Sequence, residues 1–278
     1  MNLNNLKDVN LEGVHFKGQN LSRVNFNNVI LKGSNLTGVI LENAKFRNVV
    51  LEKSTLKDGN LRNTDFKYVN FSNINLENVN FENADLQGIE LSHSCLYRGN
   101  LENANLEYAN LKHTIMHRSN LFNTNLEGAN LKSANLTEAK LKYTNLKNAN
   151  LKGTNLFRTN LENSNFESGY LENAFMNNSL LENVNFKNAN MYKVKLNNAI
   201  LKNIDFTGAD LEGVEFNNTT LKNVIMIDVH VGKGLITHHQ FCSKRLICVC
   251  KNFKNIFYTD NKFDTTYDVV IKFINLIK

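Results

Sequence analysis

Residues 101–135 read LENANLEYANLKHTIMHRSNLFNTNLEGANLKSAN, and the rest of the chain follows from them. Every fifth residue is apolar here: Leu101, Leu106, Leu111, Met116, Leu121, Leu126 and Leu131. The beat runs without insertion or deletion from Leu6 to Val231, and is Leu, Phe or Met at every step but the last. Two residues before each beat stands a small or short-branched side chain, as at Val9, Val14, Val24, Ser34, Ala44, Ala104, Thr144 and Val224. The residue between is most often Asn, with some Asp: Asn20, Asp65, Asn105, Asn150 and Asp210. A period of five fits neither a helix, at about 3.6, nor a strand, at about 2. It marks a solenoid, in which each unit stacks only on its neighbours.

Units such as Ala104-Asn105-Leu106-Glu107-Tyr108 and Ala129-Asn130-Leu131-Lys132-Ser133 resemble the A(D/N)LXX motif of the pentapeptide-repeat family. The resemblance covers about residues 4–233. It implies an all-β solenoid, a right-handed quadrilateral β-helix with four pentapeptides in each 20-residue coil. The central residue and the small one would point inward, the other three outward. Coils of 20 residues should stack like on like. Phe26, Phe46, Phe66, Phe166, Phe186 and Phe206 all share one remainder modulo 20, which supports four walls with aromatic columns on one. About eleven coils spaced by ~4.8 Å make a rod roughly 50–55 Å long. Only Asn4 and Gln19 depart from the small position, near the start of the chain. The interior is too narrow for two large side chains per unit. The recurring Asn can bond along its own column or to the turning backbone.

Hydrophobic residues make up 42% of the 278, mostly locked into one phase, so a narrow column forms the core. There is no proline, which suits a stack in which every coil pairs with the next. The formal charge of +6 is uneven. Residues 232–278 carry eight Lys or Arg against Asp260, Asp264 and Asp268, which leaves the repeat body at about +1. This divides the chain into a repeat β-helix over 1–231 and a non-repeat tail over 232–278. MNLNNLKDVN does not read as a secretory signal, and no apolar run reaches the 18 or more residues of a membrane span. Cys95, Cys242, Cys248 and Cys250 do not read as a disulfide framework. A reducing cytoplasm is the expected location; unconventional secretion would leave no trace in the sequence.

Apolar residues keep the phase at Ile236, Phe241 and Leu246, but the small position fails at His239 and Lys244. Solenoid ends need covering, and the tail is expected to cap the last coil or join two rods as a homodimer. Residues 264–278 could form a short helix with Asp264 as N-cap and Val270, Phe273, Ile274 and Ile277 along one stripe. The same Val- and Ile-rich run could equally be a strand. His238, His239, Cys242, Cys248 and Cys250 include zinc-type ligands but match no standard zinc spacing, so no metal is assigned.

The outward residues show no phosphate loop, nucleophile elbow, HExxH helix or dinucleotide fingerprint. No catalytic residue and no cofactor is assigned, and an enzyme is not expected. One departure from monotony stands out. Tyr97-Arg98, His117-Arg118 and Phe157-Arg158 occupy equivalent outward positions, interrupted by Thr137-Glu138. On the neighbouring face Lys112, Lys132 and Lys152 form a basic column, with His93 below His113. These nine cationic and aromatic residues are the candidate partner-binding patch. The reading they support is a non-enzymatic scaffold for an unidentified protein partner. The family resemblance implies two further accounts, a DNA-mimicking gyrase-binding protein that protects against quinolones, and a secreted bacterial effector. The near-neutral body and the missing loop insertions count against the first. Binding of nucleic acid or an anionic surface through the basic columns is a fourth account, weakened by the neutral body and the absence of a basic groove.

Overall fold

The structure is a computed structural model that describes residues 5–231 in full and, beyond them, the backbone of four short strands. Each pentapeptide follows one local path. The carbonyl of the central residue accepts a hydrogen bond from the N–H three residues on, as from Ala104 to Leu101 at 3.0 Å and from Ala134 to Leu131 at 2.9 Å. The residue two after the centre then has positive φ: 59° at Asn43, 58° at Asn103, 59° at Arg118. This is a type II turn, whose third residue favours Gly or Asn. The run of Asn and Gly two residues after each centre is therefore a backbone requirement, which the inward-facing pattern alone does not reveal.

A turn every five residues makes four walls. The first carries Leu6, Phe26 and Phe46, the second Leu11 and Leu31, the third Phe16 and Leu36, the fourth Leu21 and Leu41. Successive coils pair in parallel, one rung per wall, through bridges such as Asn105 to Asn125 and Asn125 to Asn145. Leu106 donates its N–H to Asn125 O at 2.7 Å, and Asn125 returns one to Ala104 O at 3.0 Å. The structure is thus a β-solenoid of about eleven turns.

Near the ends the rungs lengthen into regular sheet. β1 (Asn5–Lys7), β2 (Asn25–Asn27) and β3 (Lys45–Arg47) pair on the first wall, Leu6 opposite Phe26 and Phe26 opposite Phe46. β4 (Leu180–Glu182), β5 (Ile200–Asp205) and β6 (Thr220–Ile227) pair in the same way towards the other end. The tail adds further rungs. β7 (Ile236–Thr237) pairs with β9 (Phe257–Tyr258), while β8 (Leu246–Val249) pairs with β6 and β10 (Val269–Ile271) with β8. The step is no longer 20, since Val224 faces Leu246 and Leu246 faces Val269. The strand alternative for 264–278 therefore holds at Val269–Ile271 and the helical one fails there. The rest of that segment, Asp264 included, lies outside the described residues.

The core is the column the sequence predicts. The central residues from Leu21 to Met226 are buried, as are the small ones beside them. Phe26 and Phe46 stack with centroids 4.6 Å apart, Phe46 and Phe66 at 4.2 Å, Phe166 and Phe186 at 5.0 Å, Phe186 and Phe206 at 5.4 Å. Buried Thr hydroxyls at the small position stay satisfied by donating to a central carbonyl, of the preceding coil for Thr124 (Leu101 O, 2.8 Å) and Thr154 (Leu131 O, 2.7 Å) and of its own turn for Thr159 (Leu156 O, 2.8 Å). The Asn before each centre does both jobs the sequence suggests. Asn120 Oδ1 accepts the Phe122 N–H at 3.2 Å, while its Nδ2 donates to Asn100 Oδ1 at 3.0 Å. A second amide ladder runs through the corner Asn residues, from Asn123 to Asn103 at 2.9 Å and from Asn103 to Asn83 at 3.2 Å. No helix among the described residues is long and apolar enough to cross a membrane.

Leu106 has no exposed surface, so Leu106→Asp loses its packing and strands a carboxylate in a dry column. Its destabilisation should exceed about 4 kcal/mol, and a thermal melt matching the parent would refute the packing described. Gly33 and Gly128 share φ +65°, but a Cβ at Gly33 meets open space, whereas one at Gly128 comes within 2.5 Å of Tyr108 Cδ1. Both Ala variants carry the backbone strain. Gly128→Ala should cost about 1 kcal/mol more, and Tyr108→Ala should erase the difference in denaturant unfolding.

Candidate functional site

The corner turns decide where the patch residues lie. Lys112-His113, Lys132-Ser133 and Lys152-Gly153 are turn residues between the second and third walls. Tyr97-Arg98, His117-Arg118, Thr137-Glu138 and Phe157-Arg158 are turn residues between the third and fourth. The lysine column is thus not on a separate neighbouring face, as residue spacing suggests. Both columns border the third wall, because each turn pair projects from the edge that two walls share. Between them runs a floor of bridge residues, Cys95, Ile115, Asn135, Asn155 and Phe175, paired one above another. Ile115 is 48% exposed and Phe175 40%. The floor is the part that patch reasoning misses. Its signal is the apolar Ile at 115 and Phe at 175, in a bridge position that elsewhere in the column is mostly polar.

Aromatic and cationic groups interleave along the far rail. The Tyr97 and His117 rings stack at 5.7 Å with 13° between planes, and His117 Nδ1 lies 2.8 Å from Thr137 O. Arg98 Cζ sits 5.0 Å from the Tyr97 centroid, and Arg158 Cζ 5.0 Å from that of Phe157. Arg118 is held differently, its Nε 2.7 Å from Glu138 Oε2. That hydrogen bond holds the Glu138 carboxyl below its ordinary range and raises Arg118, with the Arg118 charge and nearby His117 and Arg158 lowering Glu138 further. On the near rail Lys152 pairs with Glu172 at 2.7 Å. Lys112, Lys132, Arg98 and Arg158 have no carboxylate partner among the described residues. The floor and far rail enclose a shallow, open depression lined by Glu77, Cys95, Tyr97, Ile115, His117, Asn135 and Thr137.

The His93 and His113 rings lie 4.9 Å apart. Partial desolvation, then the charges of His93, Lys112 and Lys132, hold the His113 pKa below its ordinary value of 6.5. A different group brings metal-ligating atoms together: Asp210, Glu212 and His230, within 4.8 Å of one another on the second wall. His230 and Asp210 are 20 apart, so their stacking was legible in the repeat. His230 Nε2 is 3.5 Å from Glu212 Oε2, and both side chains are well exposed, which suits a surface ion pair. The side chains of His238, His239, Cys242, Cys248 and Cys250 lie outside the described residues. Among the described residues no hydrogen bond of the third wall joins a nucleophile to a base.

Fold and repeat together define a four-walled β-solenoid built from pentapeptides. Family profiles agree: "Pentapeptide repeat region" matches residues 4–91, 34–111 and 157–225, and "Pentapeptide repeats (8 copies)" matches 119–158 and 134–168. The chain belongs to the pentapeptide-repeat family, and no enzyme family is indicated. Among solved structures it is similar to trypsin-treated QnrB1, a plasmid-mediated fluoroquinolone resistance protein. That match has 20% identity and a TM-score of 0.58, over 64% of this chain and 90% of QnrB1. It is also similar to HetL, involved in heterocyst differentiation regulation in the cyanobacterium Nostoc sp., at 25% identity. Coverage there is 77% of this chain and 86% of HetL, with a TM-score of 0.48. No curated protein matches the chain.

The folded form holds fewer protons on His113 than the unfolded chain does near pH 6. Its contribution to stability therefore falls as pH drops through the ordinary histidine range towards the folded pKa. An NMR titration should place His113 below 6.5, and Lys132→Gln should move it upward. A His113 titrating at or above that value would contradict the arrangement.

Proposed function

We propose that this chain is a non-enzymatic scaffold that binds another protein through the third wall of its middle coils. One observation carries the reading. Much of the outward surface satisfies itself, through amide ladders and ion pairs between successive coils such as Arg62–Glu82, Lys142–Glu162 and Lys147–Glu167. On the third wall the middle coils expose Ile115 and Phe175, and beside them Arg98 and Arg158 lie over aromatic rings with no carboxylate partner among the described residues. Aromatic and Arg side chains beside apolar surface are what protein interfaces concentrate. The body charge of about +1 does not favour a DNA mimic, which needs a negative surface. A capping role for residues 232–278 is supported by the rungs that β8 and β10 add to β6.

A photo-reactive amino acid placed at Ile115 in the native host should give a discrete protein adduct. The same group at Asn100, on the fourth wall, should not. Adduct formation that is equal at both positions would overturn the assignment of this wall.

A further inference from the structure

We propose that the third wall takes an extended acidic peptide segment, laid along the rod axis with apolar side chains on Ile115 and carboxylates reaching the two rails. This rests on the reading of that wall as a protein-binding surface and specifies the chemistry of what binds. The first argument is charge. Arg98 and Arg158 cover Tyr97 and Phe157 without a carboxylate, and Lys112 and Lys132 stand unpaired on the opposite edge. Unpaired cations also occur in the first coils, but Lys17, Arg23, Lys32 and Arg47 are spread over all four walls. Lys32, Lys53 and Arg47 even border both edges of exposed Ile30 and Val50 on the second wall, but among the described residues only the middle coils add arginines stacked on aromatic rings, Arg98 on Tyr97 and Arg158 on Phe157. Desolvated carboxylates placed there gain charge-assisted hydrogen bonds to the guanidinium and ammonium groups.

The second argument is shape. Rungs ~4.8 Å apart make the stretch from Tyr97 to Phe157 about 15 Å long, which four to six residues of extended chain cover at ~3.3 Å each. No insertion interrupts the repeat along this wall. Single-stranded nucleic acid fits less well, because its bases need free aromatic faces. Here Tyr97 is covered by Arg98 and His117, and Phe157 by Arg158. A second copy of this chain offers no acidic counterpart, since the body is near +1 and the tail +5.

The test is fluorescence anisotropy with a labelled peptide of about twelve residues built of Glu-Glu-Leu triplets, whose three residues per extended turn put Leu on the floor and a Glu towards each rail. Saturable binding is expected, weakened about tenfold by Lys112→Ala with Lys132→Ala and by Arg98→Ala with Arg158→Ala. Ile115→Ser should weaken it as well. Arg118→Ala, whose charge is already held by Glu138, should weaken it less. Lys147→Ala with Lys187→Ala, on the first wall and paired with Glu167 and Asp205, should leave it unchanged. Equal affinity across all these variants would overturn the proposal. So would tighter binding of an oligothymidylate of similar length that the same variants abolish. A peptide that does not bind while a cross-linker at Ile115 still yields its discrete adduct would sink this proposal and leave the scaffold reading standing.

Discussion

The corner turn governs everything else in this molecule. A backbone that bends after every fifth residue, with the same positive φ each time and the same hydrogen bond at most corners, has no freedom left to choose its register. Four corners return the chain above its starting point, so residue n must sit on residue n + 20. Most L side chains resist that φ by roughly 1–2 kcal/mol. The chain meets the demand mainly with Gly and Asn, whose short amide tolerates the left-handed region. Where the corner instead carries Tyr, His, Arg or Lys, as at Tyr108, His113, Arg118 and Lys193, the local preference is overridden by the ladder on both sides.

Fixed register turns composition into columns. Inside, Phe stacks on Phe and Leu on Leu, and a Thr hydroxyl finds a central carbonyl of its own coil or the one before it. Outside, many Asn residues find another Asn, and many Lys residues find a carboxylate one coil along. Individual exposed pairs contribute little, typically ~0–1 kcal/mol. Their larger effect is to leave a surface with few unmet donors or charges. The third wall breaks that rule at Ile115, Arg98, Arg158, Lys112 and Lys132, and does so within consecutive coils. Since a rod without insertions makes only shallow depressions, its specificity must come from such columns rather than from an enclosed pocket.

Much of the fold was legible in the residues. The unbroken five-residue beat marked a solenoid, the resemblance to pentapeptide-repeat proteins implied four walls, and the Phe residues at one remainder modulo 20 supported them. The corner requirement was present too, as the Asn and Gly two residues after each centre, but reads as mere surface polarity unless the turn is known. The helix alternative for the tail failed at Val269–Ile271, where a parallel partner was available in Leu246–Val249. Apolar residues rich in Val and Ile carry no sign of whether such a partner exists.

The sequence by itself therefore determined the period, the inward column, the residues that share a wall and the near-neutral charge of the body. Only the tertiary structure decided that the lysine column and the arginine column flank one floor, because that depends on which residues bend. It also decided which cations are free. Arg118 and Arg158 stand in the same column with the same repeat spacing. Yet Glu138 reaches Arg118 while Arg158 lies over Phe157, and side-chain geometry rather than sequence position makes that distinction.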